Sequence, residues 1–176
     1  MALALGSPAP RFSLPATNGG TYTFDDLKGE AATVIIFWCN HCPFVIPNQD
    51  RVIAMQDDYA ERGVSFAAIC ANNALTHPAD SFDNMKRRAL EKGYNFPYLH
   101  DESQDMARAF GAERTPEVFV FDADGLLRYH GRIDDNHEDV RQARSHDLRN
   151  ALEALLAGNP PDPSETGAMG CTIKWK

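Results

Sequence analysis

Two cysteines separated by two residues, Cys39-Asn40-His41-Cys42, are the group in this chain best suited to covalent chemistry. A thiol reacts as its thiolate, and the thiolate forms readily where positive charge or free amides surround it. Residues 33–38 (TVIIFW) read as a strand buried on both faces. After the pair, Val45, Val52, Met55 and Tyr59 fall on one helical stripe, with Ile46, Ile53 and Ala60 beside it. The pair therefore sits where a strand ends and a helix begins, and unpaired amides and the helix dipole there stabilise an anion. Cys39 is expected just outside the helix, as the more exposed and more acidic thiol. Cys42 is expected in the first turn, covered but within reach. Cys39 would attack a substrate disulfide and Cys42 would resolve the mixed disulfide. Pro43 suits a first turn, whose amides lack partners anyway. A bridge across two residues constrains little of the unfolded chain, so chemistry explains the pair better than architecture does.

Asn40 and His41, between the cysteines, would tune the couple. A protonated His41 beside a thiolate favours the reduced form and makes the disulfide more oxidising, so a couple less reducing than about −270 mV is expected. A metal site is a competing reading, because Cys39, His41 and Cys42 are all ligand types and Cys171 or a distant histidine could add a fourth. Structural zinc usually draws on two separated motifs, and no second motif is present, so no metal and no cofactor is assigned. A copper-handling module is a lesser alternative. Cys70 ends a buried run and reads as a small core residue. Cys171 is a possible third thiol on a tail that also carries Ile173 and Trp175, which would be costly to leave in water. The histidines 77, 100, 130, 137 and 146 read as surface or turn residues, and Asp57-Asp58 and Asp134-Asp135 as solvated charge.

The elements that must hold the pair follow from pattern and turn chemistry. Residues 12–14 and 21–23 suggest an N-terminal hairpin, and Thr23 could cap a short helix over 24–27 that Gly29 ends. Residues 64–70 (VSFAAIC) form a second buried strand. Pro78 would open a helix with Phe82, Met85 and Ala89 on one face, closed by Gly93. Ser103 could cap a shorter helix running to Phe110. Residues 118–121 make a third strand, 122–125 (DADG) a hairpin turn, and 126–130 the antiparallel return. Leu148, Leu152, Leu155 and Leu156 face inward from a last helix ending near Gly158. These elements describe an α/β domain over residues 1–158 with a mixed sheet covered on both faces, and a tail over 159–176 packing on or near it.

The segment TVIIFWCNHCPFVIPNQ resembles the active-site segment of thioredoxin-like proteins, including Trp38 before the first cysteine and Pro47 five residues after the second. The resemblance implies a thioredoxin-like fold. It also implies that Arg114-Thr115-Pro116-Glu117 is a cis-proline loop, with Pro116 facing the dithiol and the Thr115 backbone offering strand-like hydrogen bonds to an extended substrate. The stretches DDLKG, YNFPYLHDES and FVFDADGLL are similar to the redoxin and alkyl-hydroperoxide-reductase-like branch. The tail GCTIKWK looks like that of a peroxiredoxin-like subgroup carrying CxxC. Thiol–disulfide exchange is the leading implication, within an antioxidant and redox-homeostasis setting. Reduction of hydroperoxides, with Cys42 peroxidatic and Cys39 resolving, is the alternative. Peroxiredoxins, however, place a Thr or Ser, a Pro and an Arg around that cysteine, and here the corresponding positions are Cys39, Ile35 and Pro116. Arg114 and Arg128 could substitute only if their side chains reach the site.

The bulk numbers limit the partners. The chain has 176 residues, 43% hydrophobic and 24% charged, enough for one domain with a substantial core. With 25 acidic and 17 basic residues its net charge is −8, which argues against nucleic acid or an anionic membrane as partner. No apolar run approaches the roughly 20 residues of a membrane span, and residues 1–10 carry no basic start, so a cytoplasmic protein is expected. Expected partners are disulfide or thiol substrates, protein or small molecule, and an electron donor that the sequence does not identify. It does not indicate an oligomeric state either.

Overall fold

The computed structural model describes residues 1–176. The N-terminal extension forms a hairpin of β1 (Ser13–Pro15) and β2 (Thr21–Thr23), with Leu14 opposite Tyr22. Thr23 then caps α1 (Phe24–Leu27) through a reciprocal box, its hydroxyl accepting from Asp26 N while the Asp26 carboxylate accepts from Thr23 N. A five-stranded sheet follows, built from β3 (Ala32–Phe37), β4 (Val64–Cys70), β5 (Tyr98–His100), β7 (Glu117–Asp122) and β8 (Leu127–Gly131). Its order is β5-β4-β3-β7-β8; β3, β4 and β5 run parallel, whereas β7 and β8 are antiparallel additions. The short strand β5 went unread in the sequence because it holds only three residues behind Pro97.

Strand β3 lies at the centre and every residue in it is buried. Its side chains alternate between two cores, as the two-residue period of a strand requires. Val34, Ile36 and Trp38 join a core with Val52, Met55 and Tyr59 of α2 (Gln49–Ala60), Met85 of α3 (Phe82–Lys92) and Leu148 and Leu152 of α5 (Asp147–Leu156). Ile35 and Phe37 face the other way, into Phe24, Phe110, Phe119 and Phe121, with Phe110 coming from α4 (Asp105–Phe110). Several of these rings meet edge to face.

Three helix starts differ from the sequence reading. Pro78 opens only a 3-10 turn, Pro78–Asp80, and Ser81 caps α3. Gln104, in the left-handed region at φ 67°, stands at the N-cap of α4; Ser103 Oγ takes only the Asp105 amide, and the amides of Met106 and Ala107 go to Asp101. The helix expected to begin at Cys42 begins at Gln49, after a 3-10 turn over Ile46–Asn48. Pro47 explains that delay: it has no amide to donate, and its ring would collide with the carbonyl four residues earlier in a continuous helix.

The terminal segments border both edges of the sheet. Ala16 bridges Leu99 and Thr17 N donates to Tyr98 O along β5. On β8, Leu127 exchanges hydrogen bonds with Gly6 and Ser7, and His130 exchanges them with Ser164 and Thr166. The tail continues through β9 (Cys171–Thr172), which pairs antiparallel with β6 (Arg114–Thr115), and Ile173 is buried. Trp175 stays part-exposed beside the Arg108 guanidinium.

Asp134 is not solvated charge. Arg51 of α2 and Asp134, both nearly buried, form a pair at 3.0 Å, and Arg51 also donates to the carbonyls of Asn136 and His137. His130 is likewise a half-buried strand residue, 2.7 Å from the Glu117 carboxylate, rather than a surface histidine. Removing one member of a buried pair strands the other. Asp134→Ala should therefore cost about 3–5 kcal/mol in urea unfolding. A loss below about 1 kcal/mol would return Asp134 to the solvated class.

Candidate active site

The dithiol lies at the C-terminal end of β3, held between the 3-10 turn before α3 and the loop before β7. Trp38 N still bonds to Ile69 O, as a continuation of the sheet, before the chain turns away. Asn40 is a clamp. Its backbone amide donates to Asp80 Oδ1 at 2.8 Å, its side-chain Nδ2 donates to Ala79 O, and its side-chain Oδ1 accepts from the Tyr98 hydroxyl. The Cys42 carbonyl accepts from Val45 N and Ile46 N, so Cys42 caps a tight turn, and Phe44 N points at Cys42 Sγ from 3.4 Å.

Both sulfurs are buried, Cys39 at 3% exposure and Cys42 at 6%, so Cys39 is not the more exposed thiol. A hydrogen bond between the two sulfurs couples their acidities. Cys42 is lowered to about 5, first by a hydrogen bond from Cys39, then against the cost of burial by contacts with Cys171 and the Phe44 amide. Cys39 is raised far above the ordinary thiol value, by the same hydrogen bond to Cys42, by deeper burial and by the charge of Asp80. The two sulfurs thus share one proton and one negative charge. Thr115 serves both: its hydroxyl donates to Cys39 Sγ at 3.5 Å, and its carbonyl oxygen lies 3.6 Å from Cys42 Sγ, placed to accept from that thiol when it is protonated.

The other residues expected at the site divide into two groups. Cys39, His41, Cys42, Pro43, Thr115 and Cys171 border one cavity of about 170 Å3. Trp38 and Asn40 do not border the groove from the solvent side: Trp38 is wholly buried with Nε1 bonded to the Tyr94 hydroxyl, and Asn40 is buried as the clamp just described. Pro116 follows Thr115 through a cis peptide bond and is buried, and it does not border the cavity. The strand-forming edge expected at Thr115 exists, but Cys171 of the chain's own tail stands opposite Thr115 in the β6–β9 pair. Asp80 went unread in the sequence. It is 2% exposed, accepts from Asn40 and Asn72, and lies 3.7 Å from His41 Nδ1. Nothing in its spacing ties it to the cysteines, because a buried turn 38 positions beyond Cys42 is brought back only by the fold. Arg114 donates to Gly170 O and Arg128 pairs with Asp122 at the hairpin, so neither guanidinium borders the cavity, where the cation is Lys174. No group of three or more His, Cys, Asp or Glu side chains is arranged to hold a metal ion.

A family model described as Redoxin matches residues 4–147. The chain belongs to the redoxin family. Among curated relatives, this redoxin is 30% identical to a thiol:disulfide interchange protein DsbE of Pseudomonas fluorescens biotype C, over 74% of this chain and 69% of that one. It is 24% identical to a putative peroxiredoxin in the rubredoxin operon of Clostridium pasteurianum, over 97% and 94% of the two chains. Among solved structures, an uncharacterized conserved protein from Geobacillus kaustophilus superposes with a TM-score of 0.93 at 43% identity, covering 98% of this chain and 93% of that one. A thioredoxin-like protein solved in its oxidised form, at TM-score 0.72 and 23% identity over 89% of this chain and 99% of that one, shows the thioredoxin-like fold.

The charge placement in this redoxin is directly measurable. The ultraviolet absorbance of the thiolate in the reduced protein should rise with a midpoint near 5 and lose that step in Cys42→Ser. A step that survives Cys42→Ser but vanishes in Cys39→Ser would put the charge on Cys39 instead. Because the folded value lies below the ordinary 9.0, the stability it adds to the reduced protein is full above about pH 9 and is lost as pH falls to about 5.

Proposed function

We propose that the Cys39–Cys42 pair exchanges its dithiol with protein or small-molecule disulfides at the cavity beside Thr115, and that an external thiol donor returns it to the reduced state. The chain is a thiol–disulfide oxidoreductase. The observation that carries the mechanism is the pair of contacts on Thr115, whose hydroxyl donates to Cys39 Sγ and whose carbonyl oxygen faces Cys42 Sγ. In the order expected from the sequence, Cys39 attacks and Cys42 resolves. That order requires the proton to pass from Cys39 to Cys42, whose thiol then donates to the Thr115 carbonyl while the Thr115 hydroxyl supports the Cys39 thiolate. A second order starts from the resting charge: Cys42 attacks directly and Cys39 resolves. In both orders the first sulfur bonds to one sulfur of the substrate, whose other sulfur leaves as a thiol. The second cysteine then closes the Cys39–Cys42 disulfide and releases the remaining thiol.

The charge on Cys42 also favours a peroxide reading, in which Cys42 attacks the peroxide oxygen. The cavity, however, offers Lys174 in place of a guanidinium to stabilise the leaving oxygen, so disulfide exchange is the better-supported chemistry. A role in antioxidant defence and cell redox homeostasis then follows through repair of oxidised thiols.

Two measurements check this function. With Trp175 replaced by Phe, Trp38 reports oxidation of the adjacent Cys39. Mixing the reduced protein with a model disulfide should change its fluorescence much faster than mixing with hydrogen peroxide. Faster reaction with peroxide, retained in Cys39→Ser, would make Cys42 peroxidatic. Equilibration against glutathione buffers should give a potential less negative than thioredoxin's, about −270 mV, because stabilising the Cys42 thiolate stabilises the reduced form. A more negative value would mean that the thiolate contacts are offset in the disulfide form.

A further inference from the structure

The surface a substrate strand would use is already filled. Strand β9 pairs with β6 in antiparallel register, Thr115 opposite Cys171 and Arg114 opposite Thr172. The pairing is built rather than incidental. Gly170 sits so close to Thr115 O that an added Cβ would collide with that backbone. Arg114 Nη1 holds Gly170 O at 3.0 Å, Ile173 N donates to Glu113 O, and the buried Gln104 side chain takes Lys174 O and Lys176 N. The result is that Cys171 borders the same cavity as Cys39 and Cys42 and packs against the core cluster that holds both.

We propose that Cys171 is the third thiol of the catalytic cycle, attacking Cys42 of the Cys39–Cys42 disulfide from the strand position of a bound substrate. This rests on the exchange chemistry above and extends it by one step. Cys171 loses its proton to solvent, and its sulfur attacks Cys42 Sγ. A Cys42–Cys171 bond forms, the Cys39–Cys42 bond breaks, and its electron pair leaves on Cys39, which takes up a proton. One disulfide is consumed and one formed, so no further oxidant is needed. The step moves the disulfide from two buried sulfurs onto a pair that includes the half-buried Cys171, where a reducing thiol has access.

The electrostatics supply a trigger. In the reduced protein Cys171 is pushed up to about 11, by burial and by its hydrogen bond to the Cys42 thiolate. Once Cys42 is in a disulfide that charge is gone, and Lys174, which favours the Cys171 thiolate, remains. Oxidation of the pair thereby activates the third thiol.

The test uses the whole chain. Reduced protein is treated with excess hydroxyethyl disulfide, quenched in acid, alkylated, digested with trypsin and mapped without reduction. Cleavage after Lys28, Arg51, Arg149 and Lys174 places Cys39 and Cys42 on fragment 29–51 and Cys171 on fragment 150–174. The expected product is 29–51 joined to 150–174, with the alkyl group on Cys39, alongside internally bridged 29–51. Gly170→Ala, which forces β9 off Thr115, should reduce the joined product several-fold while the internal bridge still forms. Complete internal bridging with no joined product in the native chain overturns this step alone. Joining through Cys39, or a joined fraction unchanged by Gly170→Ala, overturns it equally. If neither product forms, disulfide exchange itself fails and takes this step with it.

Discussion

The structure is organised around keeping one negative charge on a buried pair of sulfurs. A charge taken out of water must be met by hydrogen bonds, or the group neutralises instead. Here the donors come from three directions: the Cys39 thiol from the end of β3, the Phe44 amide from the turn that Cys42 caps, and Cys171 from the tail. Thr115, on the loop before β7, closes the fourth side. Each depends on the central position of β3, since only a strand flanked by β4 and β7 can deliver its last residues to a point where both neighbouring loops converge. Cys39 is the more deeply covered of the two and faces the charge of Asp80 as well.

Much of this was legible in the residues. The run TVIIFW has the β-branched and aromatic composition of a strand with no exposed face, and β3 is wholly buried. Thr23 with Asp26 forms a local box that the spacing alone announces, and Gly93 closes α3 in the left-handed region as a glycine there should. The hairpin at DADG is equally local. What the residues did not reveal depends on contacts between distant segments. The surroundings of the dithiol are completed by Asp80, Thr115 and Cys171, none of which lies within thirty positions of the pair. Arg51 and Asp134, 83 positions apart, look like ordinary surface charge until the fold buries them together. The delayed start of α2 was locally readable in Pro47, but the amphipathic stripe through Val45 and Val52 masked it.

The tail is the part whose role changes most between sequence and structure. Seen as sequence, Gly170-Cys171-Thr172-Ile173 is an irregular end carrying an unpaired cysteine. In the fold it is a strand whose glycine exists to let two backbones touch, whose cysteine meets the dithiol, and whose isoleucine contributes roughly 1.5–3 kcal/mol of burial. Its anchor, Gln104, is itself buried and stands in an unusual left-handed conformation at the start of α4.

The terminal segments that border the sheet carry one more consequence. An uncovered strand is a template on which any other extended chain can add itself. Residues 6–7 and 164–166 occupy the outer side of β8, and residues 16–17 that of β5, so the main sheet offers no long open rim. The short edge at Thr115, where strand pairing and sulfur chemistry meet, is taken by the chain's own β9. Selectivity in this molecule is thus enforced as much by the edges it seals as by the cavity it leaves open.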